Sequence, residues 1–248
     1  PSVKFDFPEP SELASPLVNL ENVSAGYGDK VILKRLNLSI DNGDRIALLG
    51  ANGNGKSTFA KLLSGRLQPL GGEMRRTPKL KVGYFAQHQA EELPLEKTAA
   101  EYMATLMPEA DETKVRAHLA RFGLEKEKAL TRISLLSGGE KARLLFAAMT
   151  RNAPELLILD EPTNHLDMEA RDALVEALNE YAGSVILITH DLHLIELVAD
   201  DLWLVDKGGC RPYDGDLDDY KKLLLSVRVS PEEKKTAAAA EKEKQQAK

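Results

Sequence analysis

One cysteine, Cys210, is all the thiol that this 248-residue chain contains. An internal disulfide framework, a Cys-rich zinc site and an iron–sulfur centre are therefore excluded, and a reducing, cytoplasmic setting is expected. Positive charge is also short: 33 Lys and Arg stand against 39 Asp and Glu, a net charge of −6. That argues against broad, nonspecific nucleic-acid binding by the chain alone, though not against a local basic patch. Long apolar runs are missing too. The longest, such as Ser184-Val185-Ile186-Leu187-Ile188, have strand length and are far too short to span a bilayer, so no membrane partner is expected. The chain opens on Pro1-Ser2-Val3-Lys4 with neither Met nor an apolar leader, and it is read as a fragment. Against these absences stands a hydrophobic fraction of 43%, ordinary for a globular chain and ample for a core at this length.

The strongest local signal is Gly50-Ala51-Asn52-Gly53-Asn54-Gly55-Lys56-Ser57-Thr58, which fits the pattern G-x-x-x-x-G-K-[ST]. Arg45–Leu49 before it reads as a buried strand, and Phe59–Leu63 after it as the first turns of a helix. A strand feeding a glycine-rich loop and a helix N-terminus is the geometry that cradles a polyphosphate on backbone N–H groups. Within it Gly50, Asn52, Gly53, Asn54, Gly55 and Thr58 line the nucleotide. Lys56 is expected to reach the β- and γ-phosphates, and Ser57 to ligate Mg²⁺. The ligands so implied are a nucleotide polyphosphate and Mg²⁺.

Residues 1–16 carry Pro8, Pro10 and Pro16 and little periodicity, as an extended linker end would. Residues 17–23 and 36–40 alternate apolar with polar, while 45–49, 156–160 and 185–189 are continuously apolar. An antiparallel layer leading into a parallel core follows, with 169–181 as a crossover helix. From 97 to 128 the apolar spacing turns helical around Pro108, which reads as an inserted helical subdomain at about 90–150. The main domain is read over 17–227, ending in a helix from Leu217 to Val227. A charged Ala/Glu/Lys tail occupies 228–248.

A phosphate loop needs a carboxylate on a neighbouring strand to hold its metal, and Asp160 at the end of Leu156–Leu159 is placed for it. Glu161 follows and is free to face an attacking water as general base. Ser137-Gly138-Gly139-Glu140 opens an amphipathic helix. Alone it is either a second anion site or simply an N-cap.

With these stretches together, the chain resembles the ATP-binding-cassette ATPases: Gly50–Thr58, Leu136–Glu140 and Leu159–Pro162 match the Walker A, signature and Walker B motifs. Tyr84-Phe85-Ala86-Gln87-His88, Leu136–Arg143 and Glu161–Asp167 resemble the ABC-F family, twin-cassette proteins without membrane segments that act on ribosomes. The resemblance covers residues 17–227 and points to the second cassette, with 1–16 as the end of the inter-cassette linker. It implies a P-loop α/β fold with a parallel β core, an antiparallel β layer and a helical insert. It further implies that Tyr27 stacks on adenine, that Gln87 touches Mg²⁺ or the attacking water, that His190 contacts the γ-phosphate, and that Asp167 couples two sites. Ser137, Gly138 and Gly139 then serve the ATP of an opposite cassette, in the same parent chain or in a second copy. Full turnover requires that pairing.

The implied function is ATP-driven closure and opening of a cassette pair on the ribosome, with rRNA reached through the parent protein. The alternative is the ATPase subunit of a membrane transporter; Asn164-His165-Leu166-Asp167 and Glu140-Lys141 favour the former. A DNA-repair or chromosome-maintenance cassette would require a long coiled-coil insertion between the Walker motifs or cysteine-rich zinc elements, and this sequence has neither. Arg66, Arg75, Arg76, Lys79 and Lys81 cluster in sequence and are weighed as an RNA contact against a solvated face.

Overall fold

A computed structural model describes residues 4–226 with residue 54 set aside, and the side chain of Gln87 is likewise not described. The tail at 228–248, Val227 and Asn54 lie outside the described residues.

Residues up to Pro212 form one compact unit with two sheets. Strands β1 (Val18–Tyr27), β2 (Lys30–Ile40) and β4 (Gly71–Arg76) make an antiparallel layer in the order β2-β1-β4. Strands β3 (Arg45–Leu49), β5 (Val82–Ala86), β6 (Leu156–Asp160), β7 (Ser184–Ile188), β8 (Asp201–Asp206) and β9 (Gly209–Pro212) make the second sheet. Its order is β5-β6-β7-β3-β8-β9, parallel except for the β8–β9 hairpin. The continuously apolar runs are its inner strands, β3, β6 and β7, because helices cover such a sheet on both faces and leave no polar side. Helix α1 (Lys56–Ser64) buries Phe59, Leu62 and Leu63 in one core with Val23 and Leu33 from the antiparallel layer and Ile46, Ile158 and Ile186 from the other sheet. The fold is the α/β arrangement expected from the sequence.

Strand β4 carried no sequence signal. It reads Gly-Gly-Glu-Met-Arg-Arg, and its residues are exposed or half-buried because it closes the edge of the three-stranded sheet. An edge strand needs no apolar face of its own to pair with β1, from Val18↔Arg76 to Ser24↔Gly71.

Between β5 and β6 stand α2 (Ala99–Leu106), α3 (Glu112–Ala120) and α4 (Gly138–Thr150). Thr98 and Asp111 cap α2 and α3 by accepting from the backbone N–H groups of Glu101 and Lys114. The insert has a neck: Thr98 and Arg132 form an antiparallel bridge, flanked by Ile133 N–H to Lys97 O (2.9 Å), Ser134 N–H to Leu95 O (3.0 Å) and Ala100 N–H to Ala129 O (2.8 Å). Inside it, His118 is buried with Nε2 2.6 Å from Ala147 O. A carbonyl accepts only, so Nε2 carries the proton. Burial lowers the pKa of this ring, only partly offset by that bond.

The amino-terminal stretch does more than lead in. It is irregular, as its prolines suggest, but Phe5 is 2% exposed and its ring packs 6.0 Å from Phe122 and 5.5 Å from Phe146. Phe146 in turn stacks on Phe85 of β5 at 4.3 Å, and Phe7 meets Phe122 and Tyr181. Asp6 N–H donates to Arg121 O (3.1 Å). Residues 5–7 thus pin the end of α3 to the main sheet and to α5 (Met168–Glu180).

Beyond Pro212 a second unit begins, and its described part is a helix over 217–226. Asp216 and Asp219 exchange side-chain-to-backbone hydrogen bonds at its start (2.8 and 2.9 Å), and Tyr213 meets Tyr220 edge-on.

Candidate functional site

Parallel neighbours present their carboxyl ends side by side, and the loops leaving them there make a crevice. Here β6, β7 and β3 are adjacent, so Asp160 and Glu161, then Thr189 and His190, then Gly50 come together from distant points in the chain. A cavity of about 500 Å³ opens at this place. It is lined by Asn52, Gly53, Gly55, Lys56, Ser57, Thr58, Asp160, Glu161, Asn164 and His190, with Ile32 and Ile188 as apolar wall.

The loop is built for close backbone approach. Gly50 has φ 138°, and a Cβ there would lie 2.3 Å from Val205 O, so no other residue fits. Gly55 occupies the N-cap of α1 in the left-handed region at φ 105°. Helix α1 differs from α2 to α5 and α6 (Leu192–Val198), each of which has a side-chain cap, from Thr98, Asp111, Ser137, Asp167 and Asp191. Its own N-cap supplies no acceptor and its first turn holds no acid. The N–H groups of that turn and the positive end of the helix dipole are thereby kept for an external anion.

Lys56 is 7% exposed, and its Nζ donates to Gly50 O at 2.7 Å. Burial pushes its pKa down, against the pull of Glu161 and Asp160. Ser57 Oγ donates to Asp160 Oδ2 at 3.3 Å. Burial raises the pKa of Asp160, with Ser57 and Lys56 acting the other way. A hydroxyl and a half-buried carboxylate form an all-oxygen donor pair suited to a hard divalent cation.

Glu161 sits at φ 50°, with its N–H bonded to Ile188 O (2.8 Å). Its Oε1 accepts from His190 N–H (3.1 Å) and its Oε2 from Thr189 Oγ1 (3.2 Å). The His190 ring stands with Nε2 2.9 Å from Asn52 Oδ1 and 3.6 Å from Glu161 Oε1.

The structure thus brings Asn52, Gly53, Gly55, Lys56, Ser57, Thr58, Asp160, Glu161 and His190 to one cavity, with Gly50 at its base. Other candidates stand apart. Tyr27 ends β1, 46% exposed and outside the lining, with its hydroxyl 3.4 Å from Nζ of Lys61 on α1. Ser137 caps α4 in a reciprocal box: Glu140 N–H donates to Ser137 Oγ (3.1 Å), and Ser137 N–H to Glu140 Oε1 (3.0 Å). Both readings of this stretch therefore survive. Gly138 faces open space, and a Cβ on Gly139 would lie 3.8 Å from His165 O; neither is among the residues that line the cavity. The backbone of Gln87 begins a short 3-10 turn (Gln87–Glu92) directly after β5. Its side chain and Asn54 are outside the described residues.

Asn164 and Ile32 line the cavity without having been singled out. Asn164 lay inside the motif running from Glu161 to Asp167, so its position was the available signal. Ile32, one apolar residue of β2, gave none. The five cations weighed as an RNA contact are mostly committed elsewhere. Arg75 pairs with Glu73 and Lys81 with Glu155; Arg76 bonds carbonyls at the end of α1, and Arg66 covers the Tyr84 ring.

Residues 33–164, more than half of the chain, match the ABC transporter family. The chain is 44% identical to YheS of Escherichia coli strain K12 over 247 residues, covering 97% of this chain and 39% of that protein. It is 40% identical to GCN20 of Saccharomyces cerevisiae over 225 residues (90% and 30%), and 42% identical to ABC transporter F family member 3 of Arabidopsis thaliana over 228 (91% and 32%). The chain therefore spans about two fifths or less of each of these relatives. Its fold also matches the ATP-binding cassette MJ0796, solved as a dimer in a post-hydrolysis state with ADP and Pi. The TM-score is 0.66 at 24% identity, with 80% of this chain and all of that one covered. No helix among the described residues is long and apolar enough to cross a membrane. From the family match over more than half of its length, phosphate loop included, the chain belongs to the ABC transporter family, with F-family proteins among its relatives.

Proposed function

We propose that this chain is an ATPase cassette, the C-terminal one of two in a cytoplasmic ABC-F protein, and that it drives closure and reopening of the cassette pair on the ribosome. The observation that carries the ATPase reading is the convergence of Lys56, the Ser57–Asp160 pair, Glu161 and His190 on one cavity. The uncapped first turn of α1 and Lys56 bind the phosphates, and Tyr27 offers its ring to the base. Ser57, Asp160 and Gln87 would hold Mg²⁺, which when bound neutralises phosphate charge. Glu161 takes a proton from a water as that water's oxygen bonds to the γ-phosphorus and the bond to the β–γ bridging oxygen breaks. His190 orients the γ-phosphate and releases Asn52 to do so.

Pairing is supported by the signature loop. Ser137, Gly138 and Gly139 are not among the residues that line the chain's own cavity, which is compatible with their completing the site of another cassette. The ribosome assignment rests on the F-family relatives and on the motif from Glu161 to Asp167. Its test is co-sedimentation of the full-length protein, carrying Glu161→Gln, with ribosomes in ATP and in ADP. Removing the base should lower turnover by about 10²- to 10⁴-fold and trap the ATP-bound pair. Capture in ATP and not in ADP is expected. Equal or absent capture in both overturns the ribosome role while leaving the ATPase reading to be judged by turnover.

A further inference from the structure

Thr189 closes β7 one residue before His190 and is 4% exposed. Its Oγ1 donates to Glu161 Oε2 at 3.2 Å and accepts from Asp191 N–H at 3.0 Å. A hydroxyl has a single proton. With the Asp191 N–H occupying a lone pair, that proton is directed to the Glu161 carboxylate. Asp191 is itself fixed: one carboxylate oxygen caps α6 at Leu194 N–H (3.1 Å), and the other forms a close ion pair with Arg171 of α5. On its other side Glu161 is held by the His190 N–H, a backbone group. Thr189 therefore supplies the one side-chain hydroxyl bond among those that orient this carboxylate.

From this bracket, and resting on the general-base role proposed for Glu161, we infer that Thr189 is a positioning residue for ATP hydrolysis. It holds the Glu161 carboxylate in the plane set by two donors, so that its oxygen meets the attacking water without a search among rotamers. Thr189 touches neither nucleotide nor metal in this scheme. Its effect is on the chemical step and not on binding.

The test uses the full-length protein and reads only the part of the turnover that Glu161→Gln removes. Thr189→Val keeps the shape and deletes the hydroxyl. The Glu161-dependent kcat is expected to fall between about 10- and 100-fold, as for a small misplacement of a catalytic group, with KM for ATP changed less than about twofold. Thr189→Ser, which keeps the hydroxyl, should restore most of the rate. In a Glu161→Gln background Thr189→Val should cost nothing more, whereas a merely structural role would add its own loss. Thr189→Ala serves as the second hydroxyl-free variant should Thr189→Val fold poorly. A folded hydroxyl-free variant with kcat near wild type, or an equal loss in Thr189→Ser, overturns the inference. If Glu161→Gln itself leaves turnover intact, the general-base reading falls first and this one with it.

Discussion

Lys56 is a cation kept nearly out of water, and it donates a hydrogen bond to a neutral carbonyl of its own loop, Gly50 O. Such a group gains most when an anion arrives. Lys56→Ala should weaken ATP binding about 10- to 100-fold, the range for a charge-assisted hydrogen bond, with little loss of fold stability; calorimetric titration reads the first and thermal unfolding the second. His118 carries the opposite logic. Its folded pKa is lowered by burial, so on acidification the unfolded chain takes up the proton first. Stability is complete above the unfolded value of about 6.5 and is lost as pH falls through it. Urea midpoints between pH 7.5 and 5.5 should drop in the wild type and drop less in His118→Gln, which keeps a donor for Ala147 O. Lys56, Ser57, Asp160 and Glu161 were legible because motif spacing in sequence is also spacing in space. The Asn52–His190 and Thr189–Glu161 contacts were not, since strand order brings together residues 138 and 28 positions apart.

At the scale of elements, the continuous apolar strands and the helical spacing around Pro108 were visible because each is a local pattern with a single structural outcome. The edge strand β4 was not, because its pairing is made by backbone groups that every sequence has. The amino-terminal stretch misled for a related reason: three prolines set its backbone character, while two phenylalanines decide where it goes. Phe5→Ala should cost about 3–5 kcal/mol, a fall in Tm of the order of 10 °C by scanning calorimetry, as for any buried ring. A freely extended leader would lose nothing.

For the whole molecule, sequence was enough to assign the α/β class and the position of the insert. The family resemblance alone assigned the signature loop to another cassette, and Ser137, Gly138 and Gly139 are not among the residues that line the cavity. Pairing in ATP is part of the function proposed above. In size-exclusion chromatography this chain alone, carrying Glu161→Gln, should elute as a pair in ATP and as single chains in ADP; a second cassette in the same parent chain would instead close without a change of mass. The neck of the insert bears on how such a protein diversifies. Residues 98 and 132 meet as an antiparallel bridge, so what lies between them leaves and re-enters the sheet domain through one narrow seam. A foreign segment with ends arriving in the same manner could be grafted at that seam without disturbing β5 or β6. Contacts away from the seam also hold the insert: Ala147 O of α4 accepts from His118, and Phe5 and Phe7 close on Phe122. A viable chimera therefore has to return an aromatic to that spot, or give up the amino-terminal clasp along with the original insert.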